Sequence, residues 1–490
     1  RKIKRTARNA GRNPTEDQIP GRTRRKNVET NTKKKIGLLG CIGTGIGAII
    51  GSGIFGSLPT VINDIGTGIV LALLATIVYT LAKTIPNVYL SSVAPASGSF
   101  FIAPTKLIHP AVGVFMAAQN LLQPVLISVF AVLFGDYFVA LFPALEGYKT
   151  LISIVILLIY TGIAWQGNHT FAFVNNIMVV VLMVAMGCYI FVGMPSIDTS
   201  RLTLGEIFNP GVKLTSFAAA VGVLASSLSG GSAVSQIADD VKNPNRNIPL
   251  ALLLSPTIVA FIYIGMGVVT IGCMPAGELT TLSEVGKTFL PSGLLTFFIV
   301  GGPLFGVLTS MVPVIMLTCA QIQAAADNDL FPAFVGKKNK NGVSPVILCF
   351  VMLFSICCVA TGSSFGVLMT VFSFVNALSD IALCLVPFFL KKKYPHACNH
   401  STFKMAIGLV YALSAFAFVV AAYLAYAMIS TLGMTVWLMI LGAVVLFVIY
   451  ILIRISYLKK HGRDLIAELK QPYEPWEIRE RECKAMDEGK

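Results

Sequence analysis

Long apolar stretches constrain this chain more than any other feature of its sequence. They recur from about residue 36 to about residue 457, and each is long enough to cross the roughly 30 Å of hydrocarbon in a bilayer. Only 12% of the residues are charged, whereas a soluble domain carries about 25%. The sequence therefore predicts an all-α polytopic membrane protein rather than a series of soluble domains.

Hydropathy predicts twelve transmembrane helices. Their approximate limits are 36–62, 66–92, 106–141, 149–167, 171–193, 215–238, 248–274, 293–326, 345–361, 364–390, 406–430 and 433–457. The third and the eighth are too long for a perpendicular crossing, so we expect them to tilt or to extend beyond the lipid. Pro124, Pro303 and Pro313 are the positions at which these two helices could bend.

Basic residues orient the predicted helices. With the N-terminus inside, roughly 33 of the 37 Lys and Arg residues fall on the cytoplasmic side, as the positive-inside rule requires. This predicts a multi-pass protein of the plasma membrane with both termini in the cytoplasm. The expected parts are a basic tail at 1–35, a ten-helix transport core at 36–390, two further helices at 391–457 and a C-terminal tail at 458–490.

The net charge of +14 does not indicate a nucleic-acid partner, because the basic residues concentrate in the N-terminal tail and in loops between apolar stretches. Most of the ten cysteines lie inside apolar stretches, and no Cys or His spacing typical of metal ligands is present. We therefore predict no structural disulfide, no resident metal and no cofactor. No constellation of catalytic side chains stands out, so we do not expect an enzyme.

Glycine is concentrated in two of the predicted helices. The first has eight glycines between Gly37 and Gly56, and the sixth contains the cluster Ser229-Gly230-Gly231-Ser232. Glycine destabilises a helix interior by about 1 kcal/mol relative to alanine, so we predict that both helices are interrupted. An interruption inside lipid is tolerated only where protein or a cavity covers the free backbone groups. The two helices are corresponding members of two five-helix halves, which is typical of inverted-repeat transporters that bind substrate at the midplane.

Two other interpretations of the glycines are possible. The segment Gly51–Gly56 formally matches the dinucleotide motif GxGxxG, but no strand precedes it and no acidic residue follows about 20 positions on. The earlier glycines, Gly37 to Gly47, could instead allow close packing of neighbouring helices. The interpretation that we favour is a broken helix whose free N–H groups bind a carboxylate with the help of the helix dipole.

Several motifs resemble those of the amino acid–polyamine–organocation (APC) permeases. The segment Gly51-Ser52-Gly53-Ile54-Phe55-Gly56 is similar to the signature of the first helix in that family. The segment Ala238–Pro249, which reads ADDVKNPNRNIP, resembles the motif after the sixth helix. Weaker similarities follow the second and eighth predicted helices, at Ala94–Ser99 and at Leu330-Phe331-Pro332.

This resemblance implies a LeuT-like 5+5 inverted repeat with broken helices 1 and 6, which works by alternating access. It also implies that backbone atoms bind an amino acid between the two breaks, with the carboxylate at N–H groups and the ammonium at carbonyl groups. The implied substrate-binding residues are Ile49, Ser52, Gly53, Ile54, Ala225, Ser227, Leu228 and Gly231.

The chain departs from the family pattern at two places. Many members carry Gly-Phe-Glu in the sixth helix, where this chain has Gly230-Gly231-Ser232, so the aromatic gate and the acid are both missing. Many sodium-independent members carry a lysine late in the fifth helix, and the matching residue here is Leu182. The hydroxyl pair Thr309 and Ser310 lies where sodium-coupled relatives bind the ion, although such hydroxyls also commonly bond back to their own helix.

Two of the ionisable residues within predicted spans are further candidates. Asp380 is near the middle of the tenth span and Lys83 is toward the inner third of the second. A charge inside the membrane is costly and is by default a candidate functional group. Asp380 is either a coupling site for a proton or a cation, or a structural carboxyl group bonded to a neighbouring helix. Lys83 is either functional or extends its ammonium group to the inner interface.

These features predict a secondary active transporter, an ion-coupled symporter or an exchanger, for amino acids or closely related amines. Na⁺ or H⁺ is the expected coupling ion, and Thr309, Ser310 and Asp380 are the candidate coupling residues. The expected partners are a small amino acid substrate and the lipid bilayer, and the oligomeric state is left open. The alternative is a non-transporting membrane sensor or assembly subunit derived from the same fold.

Overall fold

Helices form nearly all of the regular structure in the part of the chain that a computed structural model describes. The described residues are 36–489, apart from 52, 97, 167–171, 203–211, 237, 239–240 and 276. Within them, one isolated bridge pairs Ile36 with Val241, and it joins the start of the first helix to the segment that follows the sixth predicted span. The protein is an all-helical polytopic membrane protein.

The helices are numbered in chain order. They are α1 (Leu38–Ile50), α2 (Gly53–Ile65), α3 (Ile69–Val93), α4 (Ser99–Ala103), α5 (Pro110–Asn120), α6 (Val125–Leu141), α7 (Lys149–Gln166), α8 (Ala172–Gly193), α9 (Leu214–Ser227), α10 (Ala233–Gln236), α11 (Pro244–Gly272), α12 (Leu282–Gly286), α13 (Ser292–Ile299), α14 (Phe305–Ala326), α15 (Pro345–Ala360), α16 (Phe365–Cys384), α17 (Val386–Lys393), α18 (Pro395–Asn399), α19 (Ile407–Thr431), α20 (Met434–Lys460), α21 (Leu465–Lys470) and α22 (Glu474–Glu488).

Nine helical stretches among the described residues are long and apolar enough to cross a membrane. One of them, Leu38–Val93, contains the first two predicted spans. Two shorter apolar helices, Leu214–Ser227 and Pro345–Ala360, lie in the sixth and ninth predicted spans. Length and composition therefore support many crossings, and the count of twelve stays a prediction.

The two overlong predicted spans are interrupted near some of their prolines. The third divides into α5 and α6 at a turn that ends with Pro124, and the eighth contains a π-helical turn at Val300–Leu304, which includes Pro303. Pro313, in contrast, lies within the continuous helix α14. A proline removes one backbone hydrogen bond, which a neighbouring turn or side chain can replace, so its presence alone does not determine where a helix ends.

Helix α11 begins within the second family-like motif. Asn243 adopts a left-handed conformation, with φ of 47°, and Pro244 occupies the first helical turn. Asparagine tolerates this conformation better than most residues, and proline fits the first turn because its missing N–H would have no partner there. The Asn-Pro pair therefore determines where α11 starts.

The C-terminal segment folds back as two short helices, α21 and α22, although its sequence predicts only a tail. The Glu480 carboxylate accepts the backbone N–H groups of His396, at 3.0 Å, and of the next residue, at 2.7 Å. The Asp487 carboxylate lies 2.8 Å from a ring nitrogen of both His396 and His400. These hydrogen bonds hold the pKa of Asp487 below its usual value. Trp476 of α22 is buried, and its ring packs edge-on against Tyr394 just before α18. Helix α22 is therefore packed against the segment around α18 rather than solvated on all sides.

Candidate functional site

The first interruption separates α1 from α2. Helix α1 ends at Ile50 and α2 begins at Gly53. A Cβ atom at Gly51 would lie 2.3 Å from the Ser310 hydroxyl, and one at Gly53 would lie 2.6 Å from the Tyr263 hydroxyl. Both distances are far shorter than a normal contact, so the break requires glycine because other helices approach its backbone closely.

The second interruption follows α9. This helix ends at Ser227, a 3₁₀ turn occupies Ser229–Ser232, and α10 adds one further turn. The Ser229 hydroxyl donates to the Ala225 carbonyl at 2.8 Å, and the Ser232 hydroxyl donates to the Ser229 carbonyl at 2.8 Å. Serine hydroxyls therefore occupy carbonyl groups that an uninterrupted helix would pair with backbone N–H groups.

The two interruptions pack directly on each other. A Cβ atom at Gly230 would lie 2.2 Å from the Ala48 carbonyl oxygen, so the two backbones are in contact there. The hydroxyl groups of Ser57 and Ser227 are 2.8 Å apart and link α2 to the end of α9. The Tyr263 hydroxyl donates to the Ile49 carbonyl at 3.3 Å. Close backbone packing and hydroxyl hydrogen bonds thus hold the two breaks together, and the Tyr263 hydroxyl satisfies one carbonyl group of the first break.

A central cavity of about 80 Å³ lies between the interruptions. Its walls come from both breaks and from neighbouring helices, and they include Ala48, Ile49, Gly53, Phe130, Ser226, Ser227, Ser229, Gly230, Ser232, Pro313, Phe372 and Asn376. The cavity combines residues of both breaks and serine hydroxyl groups with aromatic and apolar side chains. Such a combination is typical of a site for a small ligand with charged and apolar parts.

A second, polar cavity of about 50 Å³ adjoins the central one. Phe100, Ser229, Ser232 and Asn376 line both cavities. The polar cavity also contains side chains of α3 and α16, namely Lys83, Asn87, Ser379 and Asp380. The turn at Ser229–Ser232 therefore separates a mainly apolar cavity from a polar one.

Lys83 and Asp380 form a buried ion pair beside this turn. The Lys83 Nζ atom lies 2.9 Å from Asp380 Oδ2 and 2.7 Å from the Ser229 hydroxyl, and the Tyr79 hydroxyl donates to Asp380 at 3.2 Å. The Lys83 side chain is only 6% exposed. Of the two interpretations of Lys83, extension to the inner interface does not hold here, because a carboxylate on a neighbouring helix binds its ammonium group.

The candidate sodium ligands lie beside the first break. The Ser310 hydroxyl donates to the Gly47 carbonyl at 2.8 Å, whereas the Thr309 hydroxyl bonds back to the Gly306 carbonyl of its own helix at 3.0 Å. Leu182 is fully buried on α8. The hydroxyl group of Ser310 thus reaches the interrupted helix, and that of Thr309 does not.

The predicted substrate residues divide between the two cavities. Ile49, Gly53 and Ser227 line the central cavity, and Leu228 and Gly231 line the polar one. Two others, Ile54 and Ala225, are buried but border neither cavity, and Ser52 lies outside the described residues.

Sequence reasoning missed three contributions to the site. Gly230 was recognised only as part of a cluster, although it forms the closest contact between the breaks. Nothing in the sequence singles out Tyr263, which is one tyrosine in a long apolar helix. Lys83 and Asp380 could both be recognised as intramembrane charges, but 296 residues separate them and only the fold brings them together.

Comparison with known proteins gives a consistent result. An uncharacterized protein of Methanocaldococcus jannaschii is 25% identical over 70% of this chain and 81% of its own length. The large neutral amino acids transporter small subunit 2 of Homo sapiens is 26% identical over 58% of this chain and 53% of its own. The serine/threonine exchanger SteT of Bacillus subtilis is 24% identical over 57% of this chain and 64% of its own. The match thus spans little more than half of the human relative. Because the sequence profile of the amino acid permease family matches residues 36–449, the chain belongs to that family, within the APC superfamily.

Proposed function

We propose that this protein is a secondary active transporter that carries amino acids or closely related amines by alternating access. The observation that carries the proposal is the pair of interrupted helices whose backbones meet at Gly230 and Ala48 beside a central cavity. Interrupted helices present peptide dipoles inside the membrane, where a zwitterion finds few other partners. The relatives named as amino acid transporters support the same substrate class.

The two ends of an amino acid are matched to opposite ends of the breaks. We place the carboxylate at the N-terminus of α2, near Gly53 and Ile54, because the first N–H groups of a helix have no partner within the helix and the helix dipole favours an anion. Ser52, the third residue implied for this role, lies outside the described residues. The ammonium group is placed at the carbonyl groups of Ile49 and of Ala225–Leu228.

Hydroxyl groups already occupy two of these carbonyls. Tyr263 donates to Ile49, and Ser229 donates to Ala225. An entering ammonium group would replace neutral hydrogen bonds with charge-assisted ones, which are roughly twice as strong. This replacement of hydrogen bonds would favour a rearrangement of the break when the substrate binds.

The larger architecture belongs to the same proposal. Twelve spans would form a LeuT-like 5+5 inverted repeat, followed by α19 and α20, with both termini on the cytoplasmic side of the plasma membrane. The helices found at the predicted spans support this arrangement. Labelling of single cysteines in the loops before α7 and after α14 tests it, because the proposal places the first loop outside and the second inside.

We place the coupling ion at one of two positions. A sodium ion would use the hydroxyl groups of Thr309 and Ser310 with carbonyl groups of α1, since hard cations prefer oxygen ligands. A proton would instead use Asp380, whose charge Lys83 balances in this conformation. If removal of sodium stops uptake and Ser310→Ala abolishes the sodium response, the first position is supported. If Asp380→Asn removes the response to a pH gradient, the second is supported.

The decisive experiment is transport into proteoliposomes. Vesicles loaded with one unlabelled amino acid should accumulate the same labelled compound by counterflow, for at least one member of an amino acid panel. Empty liposomes provide the background. Binding of an amino acid without counterflow, under every ion gradient, would instead favour a non-transporting sensor or assembly subunit.

A further inference from the structure

Two residues that line the polar cavity each carry a buried polar atom that no described residue satisfies. Asn87 is 7% exposed, and its Nδ2 atom donates to the Ser235 hydroxyl at 3.2 Å, but its Oδ1 atom has no hydrogen-bond partner in the described part of the chain. The Nδ2 atom of Asn376 is likewise buried without a partner there. Both side chains line the polar cavity. One offers a free acceptor and the other a free donor.

Buried polar groups in proteins are almost always paired, so two free groups in one cavity indicate an occupant. Water is one candidate, because it can donate and accept. Asn376, however, also lines the central cavity, so a ligand there can reach its amide group. A side chain that extends from the central cavity past Asn376 would enter the polar cavity.

Gly231 and Ser232 are the small residues on the side of the polar cavity that faces the breaks. Both residues line the polar cavity, and they stand where the family pattern has phenylalanine and glutamate. A Cβ atom at Gly231 would meet only side-chain atoms, at 3.3 Å from Ile49 and 3.6 Å from Pro256. Because residues 231 and 232 are glycine and serine, no bulky side chain of this turn occupies the polar cavity.

The ion pair makes the polar cavity unsuitable for a charged group. An entering carboxylate would be attracted by Lys83 but repelled by Asp380, which lies 2.9 Å from the same ammonium group. A cationic side chain would be attracted by Asp380 but repelled by Lys83. A neutral group avoids both repulsions and the loss of hydration that a buried charge entails.

We propose that the polar cavity binds the terminal carboxamide of an amino acid side chain, as in glutamine. The amide N–H would donate to Asn87 Oδ1, and the amide oxygen would accept from Asn376 Nδ2. This inference rests on the proposed transport function and specifies its substrate class. A carboxamide supplies both missing partners at once, whereas an apolar side chain of similar length supplies neither and leaves both amides unpaired.

Competing substrates test the proposal in proteoliposomes. Initial rates are measured for labelled L-glutamine, L-methionine, L-glutamate and L-lysine, and kcat/KM is compared. Glutamine should exceed methionine at least about tenfold, which corresponds to about 1.4 kcal/mol, and it should exceed both charged amino acids as well.

Two variants locate the preference. Asn376→Leu and Asn87→Leu should each reduce the ratio of glutamine to methionine several-fold, while methionine transport shows that the variant still folds. Asn341→Leu, on an exposed loop between α14 and α15, provides the matched control and should leave the ratio unchanged.

The outcomes separate this inference from the transport function. The inference is overturned if the unmodified protein transports methionine with the same kcat/KM as glutamine. It is also overturned if neither cavity variant changes the ratio of glutamine to methionine transport, and in both cases the cavity holds water only. If no amino acid is carried at all, the proposed function fails instead.

Discussion

Replacement of Lys83 by methionine should destabilise the protein strongly, because it leaves a buried carboxylate without its cation. The Lys83 and Asp380 side chains are 6% and 18% exposed, and their charged atoms are 2.9 Å apart. Removal of one partner from a buried ion pair typically costs about 3–5 kcal/mol. The Asp380→Leu variant should lose a similar amount, since Lys83 then remains buried with the Ser229 hydroxyl as its one described hydrogen-bond partner and the Tyr79 ring centroid 5.3 Å away.

The double variant Lys83→Met/Asp380→Leu provides the sharpest test. It removes both charges and replaces them with apolar side chains of similar size, a change that is often neutral or even stabilising. The double variant should therefore be closer to the unmodified protein in stability than either single variant. This non-additivity is the signature of direct coupling between the two residues.

Thermal unfolding of the purified protein in detergent measures the effect. Lys484→Met is the control, because Lys484 pairs with Glu488 on an exposed helix surface and such pairs contribute about 0–1 kcal/mol. If Lys83→Met lowers the melting temperature no more than Lys484→Met does, or if the losses of the two single variants simply add, the reasoning about a buried pair is refuted.

The remaining predictions concern the breaks and the C-terminal helix. Gly230→Ala places a Cβ atom 2.2 Å from a backbone oxygen, so it should lower the stability by about 1–3 kcal/mol and reduce transport. Gly231→Ala brings its Cβ atom against a movable side chain, so its effect should be milder. Melting temperature and uptake rate are measured for both variants, and equal effects would contradict the backbone contact at Gly230. Tyr263→Phe removes the hydroxyl group that donates to the Ile49 carbonyl, so it should lower the melting temperature by the equivalent of about 1 kcal/mol, and an unchanged value would show that this bond is not important. Because hydrogen bonds lower the pKa of Asp487, the carboxylate should stabilise the docking of α22 fully at pH values above the ordinary aspartate pKa. This stabilisation should be lost as the pH falls through the lowered pKa of Asp487. The rate of proteolysis of α22 between pH 3 and pH 7 measures this loss of docking. If an Asp487→Asn variant shows the same pH profile, Asp487 is not the cause of the pH dependence.

Local composition made the two helix interruptions predictable. Eight glycines in the first predicted span and the Ser/Gly cluster in the sixth lower helix stability wherever the chain places them, so no tertiary information is needed. The ends of helices such as α7 and α15 were equally predictable, because hydropathy changes abruptly there.

Contacts between distant segments were not predictable in the same way. Lys83 and Asp380 each looked like an isolated charge, and only the packing of α3 against α16 identifies them as partners. The docking of α22 depends on Glu480 reaching the N-terminus of α18, and a mixed-charge sequence does not specify that target. Single-sequence reasoning therefore located the breaks but not the side chains that surround them.

Because main-chain atoms make the contact between the breaks, a position can be important for this contact whichever side chain it carries. The carbonyl group of Ala48 that touches Gly230 is present whichever side chain residue 48 carries. A saturation mutagenesis map would thus score position 48 as permissive and position 230 as intolerant, although both form one contact. Backbone amide-to-ester exchange, which alters the main chain and leaves the side chains unchanged, would detect what such a map overlooks.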